Sequence, residues 1–329
     1  MMKVLVTCNL PREVIGSIKK QHRVEVNEED RPMERKTLLQ GVGNKDGLLC
    51  TITDQINGEL LDKAPHLRMI ANYGVGFNNI DLKAATARGI PVSNTPGVLT
   101  DATADITFAL ILATARRVVE GDKRNRKGEF KSWAPLHFLG KEVSGKTLGL
   151  IGLGRIGKAV VRRARGFEMR VLYHNRHPME ASEEKRLGVQ YVDLKRLLTE
   201  ADFVSLHVPL TDQTHHLIGP QELEMMKPSA YLINASRGPV VDEKALVEAL
   251  KNGKIAGAGL DVYEDEPNLA PGLADLDNVT LLPHVGSATL ETRTKMAQLA
   301  ADNLLAGLRG EIPPNCLNGD AISHRSKSL

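Results

Sequence analysis

The clearest structural signal in this chain is the segment Thr147-Leu148-Gly149-Leu150-Ile151-Gly152-Leu153-Gly154-Arg155-Ile156-Gly157. An apolar run leads into three glycines spaced G-x-G-x-x-G, and Lys158–Arg165 continues with apolar residues at helical spacing. A strand, a glycine-rich turn and a helix in this order form a phosphate-binding corner, because the free N–H groups of a helix N-terminus attract anions. The segment therefore predicts a dinucleotide site at Gly152, Gly154, Arg155, Ile156 and Gly157.

Short apolar or β-branched runs alternate with amphipathic stretches on both sides of this corner. The first series of predicted strands is Lys3–Thr7, Val24–Asn27, Gly47–Thr51, Arg68–Asn72 and Pro91–Asn94. The second series is Thr147–Ile151, Arg170–His174, Phe203–Val208, Tyr231–Asn234, Ala256–Leu260 and Val279–Leu282. Such alternation is typical of parallel sheets with helices on both faces. We therefore predict an α/β fold of two Rossmann-like or flavodoxin-like doubly wound domains.

Between the two series the pattern predicts one long helix and then an irregular arm. The helix is expected over Asp101–Val119, which is unusually apolar until Arg116. The arm, Gly121–Gly140, is polar and basic and holds the single tryptophan, Trp133. A second amphipathic helix is predicted over Thr289–Leu308, followed by a loose tail at 318–329.

Composition and charge limit the possible functions. At 329 residues, with 42% hydrophobic and 25% charged residues, the chain is expected to be a soluble two-domain protein. Lys+Arg 43 against Asp+Glu 40 leaves +3 without a basic stripe, so no nucleic-acid partner is expected. The three cysteines form no CxxC pair, so we expect neither a disulfide framework nor a metal site, and a cytoplasmic location. No signal peptide or membrane span is expected.

The residues after the second strand of the dinucleotide unit indicate the cofactor. An NAD site usually has an acidic residue about 20 positions after the glycines, which binds the ribose 2′-OH. Here Asn175 and Arg176 occupy the end of that strand, and no acid follows until Glu180. Because a guanidinium pairs well with a 2′-phosphate, we expect NADP(H) to be preferred, with NAD(H) possible. A solvated surface arginine is the alternative interpretation.

Three polar clusters follow later strands of the same unit, at Asn234–Gly238, Asp261–Pro267 and Pro283–Ser287. Open α/β sheets bind ligands at the carboxyl ends of their strands, so these clusters are expected to converge. They contain Arg237, Glu266 and His284. An arginine can hold a carboxylate, and an acid beside an imidazole favours a protonated histidine that can act as a general acid. Taken singly, each residue is more often a salt bridge, a solvated acid or a turn residue.

The ordered set of motifs resembles the D-isomer-specific 2-hydroxyacid dehydrogenases over essentially the full length of the chain. Within that family it looks most like the glyoxylate/hydroxypyruvate reductases. The segments that carry the resemblance are Asn72–Asp81, Asn94–Gly97, Asp101–Asp105, Gly149–Gly157, His207–Leu210, Asn234–Gly238, Gly259–Pro267 and Pro283–Ala288.

The resemblance assigns roles to residues of this chain. It implies catalytic roles for Arg237 as the substrate-binding arginine, Glu266 as the partner of the histidine and His284 as the acid/base. It implies that the backbone N–H groups of Val75 and Gly76 bind substrate together with Arg237 and His284, although a plain turn is the alternative for that loop. The further cofactor contacts that it implies are Thr103, Asn175, Arg176, Val208, Pro209, Ala235, Asp261 and Gly286.

The resemblance also implies how the chain is organised. Residues 1–100 plus 287–329 are expected to form a discontinuous substrate-binding domain, and 101–286 the dinucleotide-binding domain, with the active site in the cleft between them. A homodimer is expected through the cofactor domain and the 121–140 arm. Trp133 would either approach the neighbour's active site or simply anchor the arm by packing.

The expected activity is NADPH-preferring reduction of small 2-oxo acids, glyoxylate to glycolate and hydroxypyruvate to D-glycerate, with His284 as proton donor. One alternative is a 2-ketogluconate reductase, because sugar-acid reductases share these motifs. Another is a dinucleotide-sensing corepressor, because fold does not fix function.

Overall fold

A computed structural model describes residues 1–320, so most of the tail expected at 318–329 lies outside the described residues. The chain divides into two compact units. Unit 1 comprises Met1–Leu99 and the chain from Thr289 onward, and unit 2 comprises Thr100–Ala288.

The N-terminal part of unit 1 is a five-stranded parallel sheet with helices between its strands. Its elements are β1 (Lys3–Val6), α1 (Arg12–Lys19), β2 (Arg23–Val26), α2 (Arg35–Gly41), β3 (Gly47–Thr51), α3 (Gly58–Asp62), β4 (Met69–Tyr73), α4 (Leu82–Ala87) and β5 (Val92–Ser93). The strand order is β2-β1-β3-β4-β5, the flavodoxin-like order. The strands are almost continuously apolar because helices cover both faces of the sheet.

Unit 2 begins with helices and continues as a seven-stranded parallel sheet. Its elements are α5 (Thr100–Ala115), α6 (Val118–Arg126), β6 (Thr147–Ile151), α7 (Arg155–Arg165), β7 (Arg170–His174), α8 (Ala181–Leu187), β8 (Val189–Tyr191), α9 (Leu194–Glu200), β9 (Phe203–Leu206), α10 (Pro220–Met225), β10 (Tyr231–Asn234), α11 (Glu243–Lys251), β11 (Gly257–Leu260) and β12 (Val279–Leu281). The order β12-β11-β10-β9-β6-β7-β8 is that of a Rossmann sheet with one added edge strand. The predicted fold class, two doubly wound α/β domains, is confirmed.

The last helix returns the chain to unit 1. This helix, α12 (Leu290–Leu308), begins after Thr289, whose side chain accepts a hydrogen bond from Thr292 N at 3.1 Å. It buries a face rich in alanine and leucine against the sheet, and Gly307 lies so close to β4 that a Cβ there would meet Met69 Sδ at 2.4 Å. Among the described residues, no helix is long and apolar enough to cross a membrane.

Two details of unit 2 differ from the sequence predictions. The helix expected over Asp101–Val119 ends at Ala115, because Arg117 adopts a left-handed backbone with φ 55°. Arg117 pairs with Glu120 and lies 4.1 Å from the centre of the Phe138 ring, and these contacts stabilise the break. As a result α6 occupies the first part of the arm, which was expected to be irregular. The three-residue edge strand β8 was also missed.

Candidate active site

The glycine corner after β6 uses its three glycines in different ways. Gly152 has φ +99°, and a Cβ there would meet the carbonyl oxygen of His207 at 2.7 Å. A Cβ on Gly157 would lie 2.6 Å from the Gly152 oxygen, so this glycine allows α7 to pack against the turn. Gly154 precedes the first residue of α7 and is exposed, and a Cβ placed on it would have no neighbouring atom within 4 Å. The middle glycine therefore leaves the helix N-terminus open to an approaching anion.

The end of β7 supports this corner. Asn175 Oδ1 accepts a hydrogen bond from Leu153 N at 2.7 Å, so the asparagine shapes the glycine turn. Arg176 is exposed, and its Nη1 donates to Gln213 Oε1 at a long 3.5 Å. Arg155 and Ile156 form the first turn of α7, as the motif predicts. Arg176 thus follows β7 with no acidic residue between it and Glu180 in the sequence.

The arginine cluster follows β10 in a tightly specified loop. The buried Asn234 side chain donates to the Arg237 carbonyl at 2.9 Å and accepts from Ser236 N at 3.0 Å. A Cβ on Gly238 would lie 1.8 Å from the Tyr263 oxygen, so the Arg237 loop rests directly on the segment that leads to Glu266. Burial lowers the pKa of Arg237, while the negative charge of Glu266 acts in the opposite direction.

The acid and the histidine form the centre of the site. His284 Nδ1 lies 2.7 Å from Glu266 Oε2, and the side chains keep 30% and 34% of their surface exposed, so a substrate can reach them. Glu266 Oε1 accepts from Tyr263 N at 3.0 Å, which fixes the carboxylate. Burial alone would raise the pKa of Glu266. The hydrogen bond to His284 and the charge of that imidazole lower it, and so do the hydrogen bond from Tyr263 N and the charge of Arg237. Together these interactions hold the pKa of Glu266 below its usual value. Arg237, Glu266 and His284 are therefore brought together in unit 2.

The backbone of His284 is held in an uncommon conformation. His284 has φ 54°, in the left-handed region that costs a non-glycine residue free energy. Asp261, almost fully buried, accepts from Val285 N and Gly286 N at 2.7 Å each and so fixes the loop just after His284. Burial raises the pKa of Asp261 despite these two hydrogen bonds. Asp261, which was predicted as a cofactor contact, thus supports the histidine loop.

The remaining predicted cofactor residues lie near the same strand ends. Thr103, in α5, is buried beside Gly286, since a Cβ on that glycine would approach the threonine methyl at 3.4 Å. Val208 and Pro209 follow β9, and Ala235 follows β10. These three residues are thus in loops at the carboxyl edge of the unit 2 sheet, where ligands bind in such folds.

The predicted substrate loop lies in unit 1, after β4. Its carbonyl groups face the protein, since Asn72 Nδ2 donates to the Gly76 oxygen at 2.8 Å and Asn94 Nδ2 donates to the Val75 oxygen at 2.8 Å. Within residues 1–320, the N–H groups of Val75 and Gly76 have no hydrogen-bond partner. These two amides are therefore available to an anion.

Four residues that hold the site together were not predicted from the sequence: Asn234, Gly238, Glu243 and Tyr263. Asn234, Gly238 and Tyr263 lie inside motifs that were identified, and for Asn234 its position as a polar residue at the end of a buried strand was a usable signal. Glu243, which accepts from Glu264 N at 2.7 Å, had no local signal, because its partner is 21 positions away.

With this geometry established, comparison with known proteins defines the class. A sequence profile of the family described as "D-isomer specific 2-hydroxyacid dehydrogenase, NAD binding domain" matches residues 108–286. The chain therefore belongs to the D-isomer specific 2-hydroxyacid dehydrogenases, and it is an NAD(P)-dependent oxidoreductase.

Within the family, the chain is similar to glyoxylate reductases over nearly its whole length. It is 52% identical to the glyoxylate reductase of Thermococcus litoralis over 325 residues, with 98% of each chain covered. It is 51% identical to the glyoxylate reductase of Korarchaeum cryptofilum over 326 residues, again with 98% of each covered. A solved structure of the NADPH-dependent glyoxylate/hydroxypyruvate reductase from Sinorhizobium meliloti, in complex with NADP and malonate, is similar with a TM-score of 0.84 and 34% identity, covering 96% of each chain.

Proposed function

We propose that this protein is an NADPH-preferring reductase of small 2-oxo acids, which converts glyoxylate to glycolate and hydroxypyruvate to D-glycerate. The observation that carries the proposal is the 2.7 Å contact between Glu266 and His284, with Arg237 close enough to influence the pKa of that glutamate. The glyoxylate reductases that share about half of their residues with this chain support the choice of substrate.

The residues of the glycine corner fit a dinucleotide phosphate. The open position at Gly154 and the N-terminus of α7 would receive the pyrophosphate, and Arg155 and Ile156 provide backbone N–H groups of the first helical turn. Arg176, with no acid beside it before Glu180, would pair with a 2′-phosphate. When bound, the reduced nicotinamide supplies the hydride for C2 of the oxo acid.

His284 is the proton donor in this proposal. With both imidazole nitrogens protonated, Nδ1–H donates to Glu266 and Nε2–H is left for the substrate carbonyl oxygen. As C2 gains the hydride, the carbonyl oxygen takes the Nε2 proton, and the product is the 2-hydroxy acid. Glu266 stabilises the protonated imidazole and keeps its ring oriented, and the loop that Asp261 fixes holds the histidine in place.

Arg237 binds the substrate carboxylate in this proposal. The Arg237 side chain donates once to the Ser236 oxygen, at 2.6 Å, so other N–H groups of its guanidinium remain for a carboxylate. In unit 1, the amides of Val75 and Gly76 are proposed as donors to a carboxylate, as the family resemblance implies.

A substrate and cofactor panel tests the proposal. The consumption of NADPH and of NADH is followed with glyoxylate, hydroxypyruvate and 2-ketogluconate, for the wild-type protein and for Arg176→Ala. We expect the highest kcat/KM with glyoxylate or hydroxypyruvate and NADPH, and we expect Arg176→Ala to lose efficiency with NADPH but not with NADH. Higher efficiency with 2-ketogluconate, or equal losses with both cofactors, would refute the corresponding part of the proposal.

We also propose a homodimer that forms through unit 2 and its arm. The arm exposes large apolar side chains, with Trp133 at 79% and Leu136 at 84% exposure, and large exposed apolar side chains are common at protein–protein interfaces. Trp133 is too exposed to anchor the arm within its own chain, which favours contact with a partner. Light scattering should give twice the monomer mass for the wild type and a monomer for Trp133→Ser/Leu136→Ser; a monomeric wild type would contradict the proposal.

A further inference from the structure

A second group of imidazole and carboxylate side chains lies outside the site described above. His215, His216 and Glu264 each offer one potential ligand atom, and these atoms all lie within 4.8 Å of one another. The two histidines follow β9 by several residues, and Glu264 follows β11. None of the three takes part in the proposed reduction.

The backbone at His216 brings the two imidazoles to the same side. His216 has φ 50°, in the left-handed region, and its N–H donates to the Pro239 oxygen at 2.8 Å. Adjacent side chains in extended backbone point to opposite sides, whereas these two ring centres are only 4.1 Å apart. A left-handed conformation is unfavourable for a non-glycine residue, and an uncommon conformation of this kind often marks a functional position.

The carboxylate of Glu264 is oriented from two directions. Its Oε1 lies 2.6 Å from His216 Nε2, and its Oε2 accepts from Glu243 N at 3.3 Å. Glu264 N donates in turn to Glu243 Oε1 at 2.7 Å. The side chains of His216 and Glu264 keep 36% and 34% of their surface exposed, so an ion from solvent can reach them.

His215 provides a ligand that is not otherwise used. It is exposed, and within residues 1–320 its ring contacts His216 but makes no hydrogen bond or ion pair. Removing its imidazole therefore takes away a potential metal ligand without breaking a polar contact of the fold.

We propose that His215, His216 and Glu264 form a binding site for a divalent transition-metal ion of the zinc class. Two imidazoles and one carboxylate are a donor set that Zn²⁺ takes in proteins, with water completing the coordination. The Glu243 N–H is an outer hydrogen bond of the kind that orients a ligating carboxylate. The sequence expectation of no metal site rested on the cysteines, and His216 and Glu264, 48 positions apart, fit no spacing rule that would have revealed them.

Calorimetric titration with zinc chloride tests this proposal on chelator-treated, full-length protein without substrate or cofactor. We expect one tight equivalent per chain in the wild type and affinity at least about tenfold weaker in His215→Ala. Glu264→Gln, which can still hydrogen-bond to His216, should weaken binding similarly. His66→Ala is the matched control, because His66 is also exposed but lies in unit 1, and it should bind as the wild type does.

The outcomes distinguish zinc bound at His215, His216 and Glu264 from zinc bound by other residues. Equal affinity in the wild type and in His215→Ala would overturn the proposal, since any zinc would then be held by other residues. Absence of tight zinc binding by the wild type would overturn it as well. Glyoxylate reduction by metal-free His215→Ala should equal that of the wild type. The activity assay therefore tests the proposed reductase function, and the zinc titration tests the metal site, each without depending on the other.

Discussion

At the scale of single residues, the same amino acid has different physical roles at neighbouring positions. Gly152 and Gly157 are required by the fold itself, because a side chain at either position would meet backbone oxygen within 2.7 Å. Gly154 is not required in this way, since a side chain there would enter open space. In the proposed function, that space is filled by phosphate.

This difference predicts opposite results for two alanine variants. Gly154→Ala should leave the free energy of unfolding within about 1 kcal/mol of the wild type but weaken NADPH binding, because its Cβ would occupy the anion position. Gly157→Ala should lower the free energy of unfolding by about 1–3 kcal/mol, because the Cβ would force α7 away from the turn. Urea denaturation and NADPH fluorescence titration measure the two quantities. A Gly154→Ala protein with unchanged NADPH affinity would contradict the assignment.

His207, which follows β9, predicts a pH dependence of stability. Its Nε2 lies 2.9 Å from Ser205 Oγ, and burial lowers its pKa from 6.5 to about 4. Because the folded-state pKa is lowered, stability is complete above pH ~6.5 and falls as the pH drops toward 4, where the unfolded chain binds a proton that the folded chain does not. The expected loss between about pH 7 and about pH 5 is on the order of 2 kcal/mol.

Urea denaturation at the two pH values measures this loss. His207→Gln, which can still hydrogen-bond to Ser205, should show a smaller decrease than the wild type, whereas the exposed His66→Gln should show the wild-type decrease. If His207→Gln lost as much stability as the wild type, the imidazole of His207 would not be the group responsible.

At the scale of elements, the loops after β10, β11 and β12 fix one another. Gly238 rests on the Tyr263 backbone, Tyr263 N donates to Glu266, and Asp261 binds the two amides after His284. Contacts among these loops thus hold the three side chains of the proposed chemistry, Arg237, Glu266 and His284, in position. This interlock explains how His284 keeps its positive φ.

Asp261→Asn tests the interlock. The amide offers one acceptor oxygen where the carboxylate offers two, so one backbone N–H would lose its partner, at a cost of about 1–3 kcal/mol in the free energy of unfolding. We also expect a lower kcat with glyoxylate, because His284 would be held less firmly. Asp265→Asn, an exposed change in a neighbouring loop, should alter neither quantity. Wild-type kcat and stability in Asp261→Asn would show that the loop does not depend on this carboxylate.

Helices and strands whose ends are set by neighbouring residues in the sequence could be predicted. Those whose ends depend on contacts with residues far along the chain could not. The bounds of β3, β6, β7 and β10 agree with the sequence predictions, because apolar runs bordered by glycine or polar residues define a buried strand. The break at Arg117 was missed because one of the contacts that stabilise it is with the ring of Phe138, 21 positions away. The short strand β8 was missed because three residues, Val189–Tyr191, are too few to show a pattern of alternating apolar and polar residues.

At the scale of the whole molecule, the chain leaves unit 1 after Leu99 and returns to it at Thr289. The family resemblance implied such a discontinuous arrangement, whereas length alone indicated only two domains. The candidate site was partly predictable for the same reason as the fold: strand ends of a parallel sheet meet at one edge, so Arg237, Glu266 and His284 could be grouped before their contacts were known. The contacts themselves, including the group at His215, His216 and Glu264, required the fold.

The central claim is that His284, held by Glu266, donates the proton when a 2-oxo acid is reduced. Its most direct test is the steady-state rate of NADPH consumption with glyoxylate, for the wild type and for His284→Asn, with NADPH affinity measured in parallel. We predict a fall in kcat of about 10²- to 10⁴-fold with nearly unchanged NADPH affinity, because general acid catalysis is lost while the glycine corner is intact. A His284→Asn protein that reduces glyoxylate at the wild-type rate would contradict this claim.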